Sequence, residues 1–143
     1  MTPSRPKRRK KALASAADDL NYEWKMANVA AKALAQAQGA NDVWAQNLAL
    51  ESFLVHARII REFFAASGSA DDVLARDFLW SEPKVRLTLL RSNPIRKRLN
   101  RRIAHLSYSR SRLKRAWDVR RLLNEINSAM IQFAMLSTAV ASM

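Results

Sequence analysis

The sequence predicts an all-α fold, a bundle of four to five helices with a disordered basic N-terminal arm. Composition is the first reason: alanine and leucine dominate the 143 residues, and two glycines and four prolines are too few for the many turns of a β-sandwich or barrel. The second reason is the three-and-four spacing of apolar residues in several long segments, which is typical of helices with one buried face.

The chain length predicts a single domain, because a second hydrophobic core would be undersized in 143 residues. Residues 1–12 carry too few apolar groups to offset the entropy of ordering, so they are expected to form a disordered basic arm. Residues 13–143 are then expected to form one α-helical domain.

Capping residues and periodicity locate the first two helices. The first is predicted over about residues 16–38, with Ser15 as its N-cap and Gly39 at its end. The second follows Asn41 and Asp42, either of which can cap it, and stops at the segment SGS. Its predicted buried face consists of Leu50, Phe53, Leu54, Ala57, Ile60 and Phe64.

The second half of the chain contains further helix signals. Ser69 and Asp72 predict a capping box for a short helix, and Asn93 before Pro94 predicts the cap of another. A last helix is expected over about residues 112–141, with an apolar seam that suits either an antiparallel neighbour or self-association. The seam consists of Ala116, Val119, Leu123, Ile126, Met130, Phe133 and Val140.

Charge is unevenly distributed along this chain of net charge +13. Residues 1–11 hold six cations and no acid, and residues 84–121 hold fourteen cations and the single acid Asp118, whereas residues 12–83 hold five cations and ten acids. Two basic regions on an acidic body favour a polyanionic partner, above all a nucleic acid. The alternative is a basic face that is only solvated or that pairs with the chain's own acids.

The composition excludes several kinds of site. Without cysteine there is no disulfide framework, thiolate zinc site or cysteine nucleophile, and two histidines make a histidine-rich metal site an unfavourable interpretation. The basic N-terminus does not lead into the apolar core of a secretory signal, and the most apolar stretch is short and contains Gln132. A soluble, cytoplasmic protein without a membrane partner is therefore expected.

The helix beginning at Pro94 carries the candidate catalytic pair. Arg98 and His105 point in nearly the same direction on its cationic flank, with Arg101 and Arg102 on either side. Because neighbouring cations disfavour imidazolium, His105 should stay neutral until a phosphate arrives, which suits proton transfer from the 2′-hydroxyl of RNA. A histidine that only forms a structural hydrogen bond is the alternative. The core-facing side of this helix is predicted to be Ile95, Leu99, Ile103 and Leu106.

The segment RLNRRIAHL resembles the signature of the HEPN superfamily, in which arginine, four to six residues and then histidine mark a metal-independent ribonuclease site in a small helical bundle. Arg98 and His105 match the longest spacing. The family's strongest form has a polar residue directly after the arginine, whereas here Leu99 takes that place and Asn100 follows it. The order of helices extends the resemblance over about residues 40–135.

The resemblance implies an RNA-directed protein, in its enzymatic form an endoribonuclease of a defence or toxin–antitoxin system. Arg98 would orient and charge-stabilise the phosphate, and His105 would move the proton, with no metal or other cofactor. The family's active site is assembled from two subunits, so a homodimer is expected, with an antitoxin or an acidic protein as a further partner. A non-catalytic nucleic-acid-binding or protein-interaction module is the alternative.

Further nucleic-acid contacts are predicted outside the catalytic pair. Tyr108 could stack on a base while Arg110 and Arg112 hold phosphates, although a tyrosine at a helix end is more often a packing residue. In the basic arm the predicted contacts are Lys7, Arg8 and Arg9. If the arm is a flexible clamp, deleting residues 1–12 should reduce the salt dependence of binding and leave thermal stability almost unchanged.

Three other polar residues are assigned structural roles. His56 lies among apolar residues of the second helix and is expected to be a hydrogen-bonded structural histidine. Glu51 and Arg58 lie two turns apart on that helix and are expected to be solvated or to form interhelical ion pairs.

Overall fold

The fold is described from a computed structural model over residues 5–79, 85, 87–104 and 117–141, with backbone only at 101–104 and 138–141. These residues form four α-helices, which we number α1 (Lys10–Gly39), α2 (Val43–Phe63), α3 (Asn93–Ala104) and α4 (Val119–Ala141). A single 3-10 turn, Ala75–Asp77, lies between α2 and α3, and the described residues contain no strand. The predicted all-α class is confirmed.

Helix α1 begins at Lys10, earlier than predicted. Ser15 is therefore an exposed residue inside the helix, and its prediction as an N-cap is wrong. The reason is that the intervening lysines, alanines and leucine are all good helix formers, so nothing stops the helix from extending toward the N-terminus. The disorder predicted for residues 1–12 stays a prediction, although 10–12 are helical in this conformation.

Helices α1 and α2 form an antiparallel hairpin. The connecting turn places Asn41 at a positive φ of 53°, a conformation that asparagine tolerates better than most residues. The Asp42 side chain then accepts a hydrogen bond from the Ala45 amide at 3.0 Å, which confirms it as the N-cap of α2. Near the turn, the Gln46 side chain of α2 donates to the Ala37 carbonyl of α1, so a hydrogen bond joins the two helices where they meet.

The hydrophobic core fills the space between the hairpin and α4. The predicted buried face of α2 is confirmed, with Leu50 partly buried at its edge. The apolar seam of α4 packs into the same core, so its neighbours are α1 and α2. The choice between an intramolecular neighbour and self-association is thereby settled for the described part of the seam. The buried residues of α4 are Val119, Leu122, Ile126, Ala129, Met130 and Phe133.

An aromatic cluster closes one end of the core. Phe133 of α4 makes edge-to-face contacts with Phe63, Phe64 and Phe78, at ring-centroid distances of 5.1, 6.0 and 5.6 Å. Such pairs contribute roughly 0.5–1.5 kcal/mol each beyond the apolar area they bury. The cluster joins the C-terminal end of α2, the segment after the 3-10 turn and the second half of α4.

A polar cluster joins α1 to the middle of α4. The Asn127 carbonyl oxygen accepts from the Trp24 indole at 2.7 Å and from the Asn28 amide at 3.0 Å, and the Asn127 amide donates back to Asn28 at 3.2 Å. These three bonds pair groups that would otherwise be desolvated without partners. They therefore fix where along α1 the helix α4 can sit.

The connection from α2 to α3 differs from the prediction of a short α-helix after Ser69. The local bond of the expected capping box is present, because the Ser69 amide donates to Asp72 Oδ2 at 2.6 Å. A Cβ at Gly68 would lie 2.6 Å from that same oxygen, so the glycine leaves it room. Only the 3-10 turn follows, because residues of the N-terminal segment form hydrogen bonds to this loop.

The ends of the last two helices also depart from prediction. Helix α3 starts at Asn93, and the Arg96 amide bonds to the Ser92 carbonyl, so Asn93 is the first helical residue and not the cap. Helix α4 starts at Val119, because Trp117 and Asp118 precede it in a non-helical conformation. The rest of the predicted early start, residues 112–116, lies outside the described residues.

Within the described ranges, no helix combines the length and the apolar character needed to cross a membrane.

Asn127 offers a test of the polar cluster. Replacing it with alanine leaves the Trp24 and Asn28 donors without their acceptor, so the free energy of unfolding should fall by roughly 1–3 kcal/mol. Asn124→Ala is the matched control, since Asn124 is exposed on the same helix. Urea unfolding of both variants measures the difference, and equal stabilities would contradict the role assigned to the cluster.

Candidate nucleic-acid interface

Arg98 occupies the boundary between the core and the basic surface of α3. Its neighbour Leu99 is fully buried, and Ile95 packs against the core one turn earlier, as predicted for this face. Arg98 itself is half-buried, and its guanidinium carbon lies 3.8 Å from the ring centroid of Trp117. This is cation–π geometry, worth roughly 0.5–2 kcal/mol depending on desolvation. The stack sets the plane of the guanidinium.

Trp117 is held in place by the start of α4. Asp118 caps that helix, with its side chain accepting from the Arg121 amide at 3.1 Å and its carbonyl accepting from the Leu122 amide. Trp117, directly before the cap, also packs against the core. Sequence reasoning missed the contact between Trp117 and Arg98. An aspartate before an apolar helical run was a usable signal for the cap.

Glu125 of α4 anchors the turn that leads into α3. Its Oε1 accepts from the Thr88 hydroxyl at 3.0 Å and from the Leu89 amide at 2.8 Å, and its Oε2 accepts from the Leu90 amide at 2.7 Å. Hydrogen bonds to an ionised acceptor are roughly twice as strong as those between neutral groups. A carboxylate that accepts several of them therefore holds the turn firmly against α4. Glu125 therefore sets where α3 starts, and no local pattern in the sequence predicts this long-range contact.

The surface around Arg98 is cationic in its described part. Exposed cations lie before and on α3 and in the first turn of α4, while the nearby acids Asp118 and Glu125 are engaged in the contacts above. We call this surface the α3 basic face. Its described exposed cations are Arg91, Arg96, Lys97, Arg120 and Arg121.

Several predicted site residues lie partly or wholly outside the part of the chain that the structure describes. The backbone of Arg101 and Arg102 is helical and belongs to α3. The residues His105, Tyr108, Arg110 and Arg112 lie outside the described residues. The structure therefore brings Arg98 together with Trp117, and the pairing of Arg98 with His105 stays a prediction.

The N-terminal segment contacts the chain's own loop. Arg5 donates to both carboxylate oxygens of Asp77, at 3.0 and 3.1 Å, and to the Ser69 and Asp72 carbonyls. Arg8 donates to the Ala70 carbonyl. The expectation that removing residues 1–12 leaves thermal stability almost unchanged is therefore corrected, because the removal would delete the Arg5 ion pair.

The remaining arm residues predicted to bind nucleic acid lie beside this anchor. Lys7 and Arg9 are exposed, whereas Arg8 is partly buried against the loop. Contact of all three with a nucleic acid stays a prediction.

His56 and Glu51 are placed as predicted, and Arg58 is partly buried beside a cleft. His56 is largely buried and its Nδ1 lies 2.5 Å from Glu23 Oε2 of α1, which confirms a hydrogen-bonded structural histidine. Its ring also meets Tyr22 edge-to-face at 6.0 Å. Glu51 is exposed, as expected of a solvated charge, and Arg58 lines a cleft described below.

Comparisons with protein families, with curated proteins and with solved structures were also made. None of the three found a match. The described residues also contain no group of three or more histidine, aspartate or glutamate side chains placed to hold a metal ion. The site is therefore interpreted from its own residues.

The Arg5–Asp77 ion pair predicts a pH dependence of stability. Burial raises the pKa of Asp77, but the hydrogen bonds and charge of Arg5 outweigh it, with help from the Leu74 amide and the charge of Arg8. The pKa in the folded protein therefore lies below the ordinary value of 3.8. The ionised carboxylate then contributes stability that is fully present above this ordinary value and is lost as the pH falls through the folded pKa.

Asp77→Asn measures that contribution. At neutral pH the variant should lose roughly 1–3 kcal/mol in free energy of unfolding, because the Arg5 charge stays partly buried without its partner. The loss should shrink at a pH below the folded pKa. Asp71→Asn, an exposed acid of the same loop, is the control in urea titrations at both pH values. A loss that does not depend on pH would contradict the ion pair.

Proposed function

We propose that this protein binds RNA through the α3 basic face and that, in its enzymatic form, it is a metal-independent endoribonuclease. The observation that carries the proposal is the stacking of Arg98 on Trp117 at 3.8 Å within a cluster of exposed cations. A planar guanidinium presents its N–H donors in a fork that matches a phosphate. Stacking on a ring uses the face of the guanidinium, so it fixes the orientation of the fork and leaves the N–H donors in the plane available. Surrounding cations add the sequence-independent attraction to a phosphate backbone.

The catalytic part of the proposal rests on the arginine–histidine motif. Arg98 orients the scissile phosphate and stabilises charge on it, and His105 takes the proton from the 2′-hydroxyl. A second histidine is needed to protonate the leaving oxygen, and a homodimer with two facing motifs supplies it. Because the described α4 seam is buried within one chain, it cannot be the dimer surface, and self-association would use another face.

The setting that best fits these residues is a cytoplasmic defence or toxin–antitoxin system. Its support is the likeness of RLNRRIAHL to the HEPN motif and the basic charge of the chain. In that setting an antitoxin or another acidic protein would cover the α3 basic face and compete with RNA for it.

RNA affinity tests the binding part. Arg98→Ala should weaken binding of a single-stranded RNA and lower the salt slope of log K by about 0.7, the contribution of one phosphate contact. Lys32→Ala removes an exposed charge from α1, away from α3, and should change neither quantity. Fluorescence anisotropy at several salt concentrations measures both. If the two variants behave alike, only net charge matters and the assigned role of Arg98 is lost.

Trp117 is a positioning residue in this proposal, since it acts through Arg98. Trp117→Leu keeps an apolar side chain but removes the π face, so RNA affinity should fall by a factor of roughly two to five. Trp117→Phe should restore most of the affinity. Failure of phenylalanine to rescue would show that the tryptophan matters for packing and not for its stack on Arg98.

His105 separates catalysis from binding. Cleavage is measured in the presence of EDTA, so that only metal-independent activity is seen. His105→Ala should abolish this cleavage and keep RNA affinity within a factor of about two, because the neutral ring adds little to phosphate attraction. Mixing His105→Ala with Arg98→Ala subunits should give an activity that neither parent shows if the site spans two chains. A wild-type protein that binds RNA without cleaving it would instead assign the non-catalytic module.

A further inference from the structure

A cleft of about 500 Å³ lies on the side of the hairpin formed by α1, the second half of α2 and the loop that follows α2. Its size falls within the range of about 300–1,000 Å³ that is usual for small-molecule sites. None of its lining residues belongs to the α3 basic face. The cleft is therefore independent of the proposed RNA interface.

The floor of the cleft is apolar. Buried side chains of Leu20, Phe63 and Leu74 form its base. Two α2 residues, Val55 and Ile59, also line it while they remain 38% and 43% exposed, and Val73 of the loop is 44% exposed. A ligand with an apolar body would remove this branched aliphatic surface from water, which stabilises a complex.

The rim of the cleft is acidic in a strongly basic protein. Four carboxylates and the single cation Arg58 line it, which gives a formal charge of −3 in a chain of net charge +13. Asp19 is exposed, and within the described residues it forms no hydrogen bond or ion pair. The other three carboxylates have partners inside the chain. The four acids of the rim are Asp19, Glu23, Glu62 and Asp72.

We propose that this cleft binds a small organic cation, an ammonium or similar group carried on an apolar body. The apolar floor accommodates the body and the acidic rim selects the sign of the charge. A long basic polypeptide is the less favourable occupant, because outside the cleft it would meet the protein's own cations. Arg5 and Arg8 already lie on the loop that forms one wall. A single ligand charge avoids most of that repulsion.

The closing experiment compares probes that share one body. Full-length, 15N-labelled protein is titrated with 4-phenylbutylammonium, with 4-phenylbutyrate and with an octalysine peptide, and amide signals are followed by NMR. We expect saturable shifts at Val55, Ile59 and Val73 with the ammonium probe, and binding weaker by roughly ten-fold with the carboxylate probe. Equal binding of the two aromatic probes would overturn the proposal, as would tighter binding of octalysine at the same signals.

Matched variants locate the site. Asp19→Asn should weaken 4-phenylbutylammonium binding by roughly two- to five-fold, the effect of one exposed charge pair, whereas Asp18→Asn beside it should not. Ile59→Lys should abolish binding, and Leu48→Lys, which is on α2 outside the cleft, should leave it intact. If the NMR spectrum of the Ile59→Lys variant loses its dispersion, the variant is unfolded. The comparison of Asp19→Asn with Asp18→Asn then decides the test alone. Equal affinities of those two would overturn the proposal.

Discussion

The packing of α4 against the α1–α2 hairpin is the interaction on which the other features depend. Phe133 joins α4 to the end of α2, and Asn127 joins it to α1, so both halves of the helix are tied to the hairpin. The residues on and just before α4 that contact the α3 segment take their position from this packing. Glu125 holds the turn before α3, and Trp117, just before the helix, holds Arg98. The candidate interface is therefore positioned by helix packing and not by contacts within α3 alone.

Charge is separated between two parts of the molecule. The described acids of residues 12–79 lie on the hairpin and its loop, where Asp77 pairs with Arg5 and four others line the cleft. The described exposed cations of residues 87–121 lie on the α3 basic face, where the nearby acids Asp118 and Glu125 are engaged in hydrogen bonds. A polyanion approaching such a molecule is attracted most strongly to the α3 basic face. The separation thus favours one orientation of approach, before any specific contact forms.

Periodicity and capping residues predicted the helical class, the buried face of α2 and the Asp42 cap, because these depend on neighbours in sequence. The boundary at Ser15 was wrong because good helix formers precede it, and the one at Asn93 was wrong because the Ser92 carbonyl already accepts the Arg96 amide. Glu125 and the Trp117 stack could not be predicted, because each depends on a contact between segments far apart in the chain. Arg98 was predicted as a site residue from a motif, whereas its contact with the Trp117 ring was visible only in the fold.

The length of α1 has a consequence for the N-terminal cations. At about 1.5 Å per residue, its 30 residues span about 45 Å, whereas the 21 residues of α2 span only about 32 Å. The first turns of α1, which are mostly exposed, therefore extend past the end of α2. Lys10 and Lys11 lie on that extension, with their backbone in a helical conformation. A partner that binds these two lysines does not have to order their backbone. The entropy cost of binding is therefore smaller than for the same charges on a disordered chain.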